Sequence, residues 1–481
     1  MKKIYLFLMC ICTMLCVFGC SDEETEKKEY SSEDVFSLAD YEKYYGELFG
    51  QGEVIDIDVE LTEEDWQDIC TNAEKEEYHT ANIVVNGVSL DNVGFRTKGF
   101  SSLTTVANSD SNRYGFKVKT DKYVDGQTLN GLDMFVLNGS FSDPSYMREY
   151  LTYAASQYIG AITPNVSYAN LSINGEAFGF YLFIEAYDDS FVQRNTNDEN
   201  AVLYKASEET CTLLSTDDTS GFEVDYGDDE TNENIKSLIE VLNNTTEDNK
   251  EELEAILDVD SVLKAVAVNT VMGNYDSYSG SKAHNYYLLY ADGKFTYIGW
   301  DYNMSIGGFS EDNGASVSVD VSLPVYNVSL EQRPLIGKLL DIEQYYQRYI
   351  EYVKEVTEYL GDVETLVNNI ADTIDSYVEN DPTAFCTYEQ FKSSITASGT
   401  DLTDTKNNIM NPGSSSQNMW QKPDDMETPE GMEMPEGMTA PEGMEIPDNM
   451  QMGNNMMTGS TLSIVDYLVQ RIEFIESSLN E

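Results

Sequence analysis

Apolar and polar residues alternate along much of the first half of the chain, as they do in strands with one buried face. The alternating segments are 54–59, 81–88, 114–119, 132–137, 168–173 and 179–185. Asn174-Gly175, between the last two, is a strong signal for a hairpin turn. Helical spacing interrupts the strands at 62–74 and 145–159. The pattern predicts a strand-rich region over 51–230.

Helical spacing dominates the second half. It predicts helices over 234–243, 249–257, 262–272, 334–359 and 363–378. A hairpin is predicted at 286–300, turned at Asp292-Gly293, and a final amphipathic helix within 460–481. Strands first and helices later predict an α+β fold of two lobes, with the helix-rich region at 231–410.

Residues 411–459 follow neither period. Pro-Glu-Gly-Met begins at Pro429, Pro435 and Pro441 and decays at Pro447, a repeat of six residues. Pro and Gly in every full repeat oppose a helix, so a disordered insertion is predicted. A Met-rich segment that binds a partner or soft copper ions is the alternative.

The first residues have the pattern of an export signal. Lys2-Lys3 precede an apolar run that ends before Cys20 and is too short to span a bilayer. A small residue followed by cysteine is typical of a bacterial lipoprotein, which predicts a signal peptide over 1–19, lipid on Cys20 and an acidic tether over 20–50. The expected location is the outer face of the cytoplasmic membrane. An ordinary signal peptide that happens to contain cysteines is the alternative.

Charge and composition exclude several functions. The 28 basic and 86 acidic residues give a net charge of −58, which argues against binding nucleic acid. A phosphate ligand would need a metal ion and a local basic patch to approach this surface. Only two histidines are present, and Cys70, Cys211 and Cys386 lack ligand spacing, so neither a zinc site nor a disulfide framework is predicted.

Three polar residues in the helix–loop–hairpin of the second half indicate phosphoryl transfer. Asp276 lies in a polar loop after the 262–272 helix, Asn285 opens the hairpin and Asp301 closes it. In phosphotransferases an acid orients the attacking hydroxyl, and an amide and a second acid hold Mg²⁺ on the phosphates. The neutral and charged oxygens of Asn285 and Asp301 are hard ligands that suit this ion. A lone aspartate in such a loop more often forms a turn or caps a helix.

The first half of the chain offers candidates for the remaining parts of a phosphotransferase site. Gly99, Ser101 and Ser102 form a Gly/Ser turn between two predicted strands, where backbone N–H groups are able to approach a phosphate. Lys117 and Lys119 share one face of the returning strand, and one of them is a candidate to reach phosphates; an ordinary solvated strand face is the alternative. Glu149 is a candidate ion-pair partner for that lysine. Arg148, beside it in the sequence, is a competing partner for the same carboxylate.

Six short motifs occur in order: RTKGFSS at 96–102, FKVK at 116–119, MREYL at 147–151, GFYLFIE at 179–185, HNYYL at 284–288 and GWDYNM at 299–304. Together they resemble the spore coat protein H (CotH) kinase family, from about residue 54 to 307 and onward through the helices.

The resemblance implies a divergent two-lobed protein-kinase-like fold that uses ATP with Mg²⁺ or Mn²⁺. By position, Gly99, Ser101 and Ser102 match the phosphate-covering loop, Lys117 the nucleotide lysine and Glu149 its helix partner. Asp276 matches the hydroxyl-orienting acid, and Asn285 and Asp301 the metal ligands. Further nucleotide-site assignments are Arg96 in the first motif, Glu185 near the hinge and Trp300.

The chain departs from ordinary protein kinases in three places. The phosphate loop has one glycine, the Asp276–Asn285 gap is nine residues instead of about five, and Tyr302-Asn303 follows Asp301. These departures put activation-loop control and efficient turnover in question.

Three functions remain open from the sequence. The first is a surface-anchored kinase acting on Ser/Thr-rich protein, although ATP is scarce outside the cytoplasm. The second is a catalytically silent kinase-like module that binds or builds the envelope. The third is a carbohydrate-active protein, suggested by 33 tyrosines and by Asp276 and Asp301 as an acid–base pair. Acceptor, donor and oligomeric state are not specified by the sequence.

Overall fold

The computed structural model describes residues 48–49, 54–216, 218–309, 314–402 and 462–480. Cys20, the signal peptide, nearly all of the tether and the 411–459 insertion lie outside the described residues. Within those residues no helix combines the length and apolarity needed to cross a bilayer. Among the described residues, Cys70, Cys211 and Cys386 form no disulfide bond.

The first part of the fold is a closed seven-stranded barrel. Its elements are β1 Val54–Glu60, α1 Glu63–Thr71, β2 His79–Val85, β3 Val88–Lys98, α2 Ser101–Ala107, β4 Gly115–Lys119, β5 Met134–Asn138, α3 Arg148–Tyr158, β6 Val166–Ile173 and β7 Glu176–Glu185. The strand order is β1-β2-β3-β4-β5-β7-β6, and parallel pairing of β1 with β6 closes the ring. Alternation turns Phe95 and Phe116 inward, which leaves the cations of β3 and β4 on the outer face.

A four-stranded sheet stands beside the barrel. This part contains α4 Asp189–Asn195, β8 Val202–Ala206, β9 Phe222–Tyr226, α5 Glu233–Asn244, α6 Lys250–Glu254, α7 Val259–Met272, β10 Tyr286–Ala291 and β11 Lys294–Gly299. The strand order is β11-β10-β8-β9. The predicted hairpin is therefore present. Its strand β10 pairs with β8, which comes before residue 230 in the sequence. Local alternation identifies strands but carries no information on this distant pairing.

The remaining helices cover α7, which is buried along nearly its whole length. They are α8 Pro334–Leu340, α9 Glu343–Leu360, α10 Val363–Glu379, α11 Tyr388–Ser394 and α12 Ile464–Leu479. The prediction of a single helix over 334–359 is wrong, because the helix is interrupted at Asp341-Ile342, between α8 and α9. The mixed α+β class and the final helix are confirmed. Arg471 of α12 donates to the carbonyls of Thr270, Val317 and Val319, which ties that helix to the core.

Candidate active site

Asn285 and Asp301 lie at the open end of the β10–β11 hairpin. Tyr286 pairs with Gly299, and the Trp300 amide donates to the Asn285 carbonyl over 3.0 Å. Asn285 and Asp301 both have φ of 56°, in the left-handed region that Asn and Asp tolerate better than most residues. The chain therefore turns sharply at both strand ends, and the register of the hairpin brings the two residues to one end of the sheet.

Asp276 reaches the same place through the loop after α7. That helix ends at Gly273, whose φ is 60° and where an added Cβ would lie 1.8 Å from the Tyr467 hydroxyl. Asp276 Oδ1 is 2.8 Å from His284 Nε2, and Asn285 Nδ2 donates to the Asp276 carbonyl over 2.9 Å. These hydrogen bonds close the nine-residue gap and hold the acid beside the amide.

Most of the predicted site residues line one cavity of about 180 Å³. It is lined by Gly99, Ser101, Ser102, Glu149, Asp276, Asn285 and Asp301 from the predicted set, and by Lys98, Asn138, His284 and Asn303 among others. Ligand sites usually span about 300–1,000 Å³. The cavity accordingly has room for a phosphate group with a metal ion, and the rest of a bound nucleotide would lie outside it. Gly99–Ser102 is not a simple hairpin tip, since helix α2 begins at Ser101.

Lys98 and Asn138 are two polar lining residues that were not among the predicted site residues. Lys98 Nζ donates to Asn138 Oδ1 over 2.7 Å, and Asn138 Nδ2 donates to Glu149 Oε2 over 2.9 Å. Lys98 ends β3, Asn138 ends β5 and Glu149 lies in the first turn of α3. The side-chain amide of Asn138 therefore joins the lysine to the glutamate. The alternation of side chains along β3 places Lys98 on the same outer face as Arg96, so the sequence did contain a signal for Lys98. Nothing local marked Asn138.

Burial and negative charge dominate the electrostatics of this cavity. Burial raises the pKa of the Glu149 carboxyl to about 8, and the nearby charge of Asp301 adds to the rise. The pKa of Asp301 is also raised, first by burial and then by Asp276, while Lys98 and His284 oppose the rise. Glu149 Oε1 is buried without a hydrogen-bond partner among the described residues. A cation bound in this cavity would favour the charged forms of both carboxyls and lower their pKa values.

Arg96 and Lys117 do not line the cavity. They face each other across β3 and β4 on the outer face of the barrel. Arg96 pairs with Glu76 and lies 5.0 Å from the Tyr78 ring. Burial, then the charges of Arg96 and Lys98, lower the pKa of Lys117 to about 8. With Lys98 these residues form a basic patch, and Lys117 as the nucleotide lysine stays a prediction.

Glu185 and Trp300 lie beside the site. The Glu185 carboxylate is buried and receives Arg194 at 2.8 and 3.0 Å and the Asn165 amides at 2.9 and 3.0 Å, so its oxygens are occupied by the fold. It ends β7 and anchors the chain that leaves the barrel. Trp300 packs 4.8 Å from Tyr187, and Lys98 Nζ lies 6.0 Å from its ring.

A second group of acids surrounds Lys119. Asp133, Asp188 and Asp189 bring carboxylate oxygens within 4.8 Å of one another. Lys119 Nζ lies 2.7 Å from Asp188 and 3.9 Å from Asp133. The ammonium supplies part of the countercharge, so Lys119 is engaged in an ion-pair network with these acids.

Asp133→Asn is expected to stabilise the protein above pH 6. Burial, with the charge of Asp188, raises the pKa of the folded Asp133 carboxyl to about 6, so ionisation above that pH opposes folding. The free energy of unfolding should rise by about 1–3 kcal/mol at pH 8 and change little near pH 4. Denaturant unfolding at both pH values measures this, with the exposed Asp125→Asn as control. A loss of stability at pH 8 would contradict it.

Comparisons with known proteins agree with the sequence motifs. The profile of the CotH kinase protein family matches residues 95–411. The chain is 26% identical over 251 residues to the inner spore coat protein H of Bacillus subtilis (strain 168), which covers 50% of this chain and 66% of that protein, just under two thirds of its length. A Shewanella oneidensis MR-1 HipA–HipB–operator DNA structure matches 59% of this chain and 61% of that chain, with 12% identity and a TM-score of 0.22. A TM-score this low supports no structural argument.

Proposed function

Because this chain belongs to the CotH kinase protein family, we propose that it is a surface-anchored atypical kinase that transfers phosphate from a nucleotide to protein serine or threonine. One observation carries the proposal: Asp276, Asn285 and Asp301 meet Lys98 around one cavity. Phosphoryl transfer depends on positioning and charge neutralisation, and this set supplies both. In the proposal, the barrel is the N-terminal lobe of a divergent kinase fold, and the second sheet with its helices is the C-terminal lobe.

Asp276 is the residue proposed to orient the acceptor hydroxyl. His284 holds its Oδ1 at 2.8 Å, which leaves Oδ2 with only a long 3.4 Å contact to the Asn285 amide. A carboxylate oxygen fixed in this way is able to accept the hydrogen bond of a serine or threonine hydroxyl. The short loop after Gly273 restricts the movement of the side chain, as positioning requires.

Asn285 and Asp301 are proposed to hold Mg²⁺ or Mn²⁺. The bound ion would neutralise charge on the phosphates. The donor set fits: Asn285 directs its NH₂ group to the Asp276 carbonyl, so its Oδ1 is a neutral oxygen ligand beside the Asp301 carboxylate. The unpartnered Oε1 of Glu149 lies in the same cavity, where a bound cation would favour the charged form of this carboxyl and lower its raised pKa.

Lys98 is the proposed phosphate-binding lysine. It lines the cavity, and Asn138 fixes its ammonium group at 2.7 Å. Lys117 and Arg96 continue the basic patch along the barrel face, with Lys205 of the second sheet near Lys117. This patch is the local positive region that a phosphate needs on a chain of charge −58.

Lys98→Ala is expected to weaken magnesium-dependent ATP binding about tenfold or more, a loss of roughly 1.4 kcal/mol. Lys117→Ala should have a smaller effect, because Lys117 does not line the cavity. Isothermal titration calorimetry at pH 7 compares the two variants with the wild type. A larger loss for Lys117→Ala would instead assign the nucleotide lysine to Lys117.

The direct test of function is transfer of labelled γ-phosphate to a Ser-rich acceptor protein and to the chain itself, with ATP and Mg²⁺ or Mn²⁺. The expected result is metal-dependent labelling of serine or threonine. Absence of both transfer and metal-dependent nucleotide binding in the wild type would refute the enzyme proposal.

A catalytically silent module of the envelope or coat is the alternative. Lys98 contacts Asn138, not Glu149, and the cavity is small for a nucleotide. The Bacillus subtilis relative is named as an inner spore coat protein. Nucleotide binding without transfer would favour this alternative. Lipid on Cys20 would serve either function by holding the protein at the membrane surface.

A further inference from the structure

A second cavity, of about 500 Å³, opens on another side of α3. It shares no lining residue with the candidate active site. Tyr150, Ala154, Gln157 and Tyr158 of α3 line it, and this spacing of four, seven and eight residues makes one stripe along a helix. Glu149 precedes the stripe by one position and turns toward the active site instead. We call this second cavity the tyrosine groove.

Two tyrosine pairs form the walls of the tyrosine groove. Tyr150 stacks on Tyr168 of β6, with ring centroids 4.8 Å apart and an interplanar angle of 24°. Tyr158 of α3 meets Tyr359 of α9 at 5.0 Å and 42°. Tyr158 is 55% exposed, one of few large hydrophobic side chains so exposed in the described residues. Tyr168 is buried, and Tyr150 and Tyr359 are half-buried. The exposed ring of Tyr158 in a concave site indicates a binding surface, because burying it gains free energy.

The charge of the lining residues narrows the class of ligand that the tyrosine groove would bind. No lining residue of the tyrosine groove is acidic or basic, although the chain has 86 acidic residues. Its polar groups are neutral amides and hydroxyls, and those beyond the tyrosines are Gln157, Ser167, Asn369 and Thr373. A neutral ligand with an apolar face and many hydroxyl groups matches this lining, since tyrosine itself combines an apolar ring with a polar tip.

We propose that the tyrosine groove binds a neutral oligosaccharide, independently of phosphoryl transfer. A pyranose ring would stack on the exposed ring of Tyr158, and sugar hydroxyls would hydrogen-bond to the exposed side chains of Gln157 and Asn369. The Pro-Glu-Gly-Met repeat is another conceivable occupant, since proline-rich segments bind aromatic grooves. Its glutamates would enter without a basic partner and near a surface of the same sign, so charge favours the saccharide.

The test is titration of the full-length protein with chitohexaose, cellohexaose and maltohexaose, followed by calorimetry and ligand-observed NMR. At least one should bind, and Tyr158→Ala should weaken that binding about tenfold. Tyr158→Phe keeps the ring and should restore most of it. Tyr123→Ala is the matched control, because Tyr123 is 47% exposed but does not line the groove.

The variants also separate this site from the active site. Tyr158→Ala should leave magnesium-dependent ATP binding unchanged, and Asp301→Asn should leave saccharide binding unchanged. The proposal is overturned if none of the three saccharides binds at about 10 mM. It is also overturned if Tyr123→Ala weakens binding as much as Tyr158→Ala does. If a synthetic peptide of residues 429–446 binds more tightly than the saccharide and displaces it, the repeat is the ligand of the groove instead.

Discussion

Asp301→Asn is expected to weaken magnesium-dependent ATP binding and phosphate transfer by about 100-fold, the typical cost of removing one preorganised electrostatic group. Asparagine tolerates the φ of 56° at this position and nearly preserves the side-chain shape, so the substitution chiefly removes the charge of the proposed metal ligand. Calorimetric titration with ATP, with and without Mg²⁺, measures the loss. Binding without Mg²⁺ should change little.

Asp292→Asn is the matched control for this prediction. Asp292 lies at the turn of the same hairpin, also with positive φ, and does not line the cavity. Thermal unfolding should show that both variants remain folded, since burial already raises the pKa of Asp301 and opposes its charge. Unchanged magnesium-dependent binding in Asp301→Asn would contradict the assignment of Asp301 to the metal.

The core of the candidate site could be predicted from sequence because it is local. Asn285 and Asp301 are brought together by one hairpin whose turn, Asp292-Gly293, is visible in the sequence. Asp276 is brought to them by a loop of fixed length after a recognisable helix. Each of these relations depends on neighbouring residues, so periodicity and turn chemistry were sufficient.

The rest of the site depends on long-range pairing. Lys98 and Asn138 meet because β4 lies between β3 and β5 in the barrel, and no local pattern specifies that order. Glu185 shows the same dependence: its predicted place near a hinge made it a candidate for the nucleotide site, and in the fold Arg194 and Asn165 occupy its carboxylate. Contacts between distant segments decide which polar side chains remain available.

Such a long-range contact also joins the barrel to the helices. Arg113, just before β4, and Asp381, just after α10, form an ion pair of 2.9 Å in which neither side chain is exposed. Arg113 also donates to the carbonyls of Gly139 and Phe180, and the Phe180 amide donates to Asp381 at 3.1 Å. Arg113 lines the candidate active site, so the pair also fixes one wall of that cavity.

Asp381→Ala is expected to lower the free energy of unfolding by about 3–5 kcal/mol, because it leaves the Arg113 charge buried without its carboxylate. Asp375→Ala is the control: it breaks the pair between Lys392 of α11 and Asp375 of α10, whose side chains are 47% and 35% exposed, and should cost less than about 1 kcal/mol. Guanidinium unfolding at pH 7 compares the two. Equal losses would mean that the buried pair contributes no more than a surface pair. A large loss for Asp381→Ala alone would show that the buried link between barrel and helices stabilises the fold.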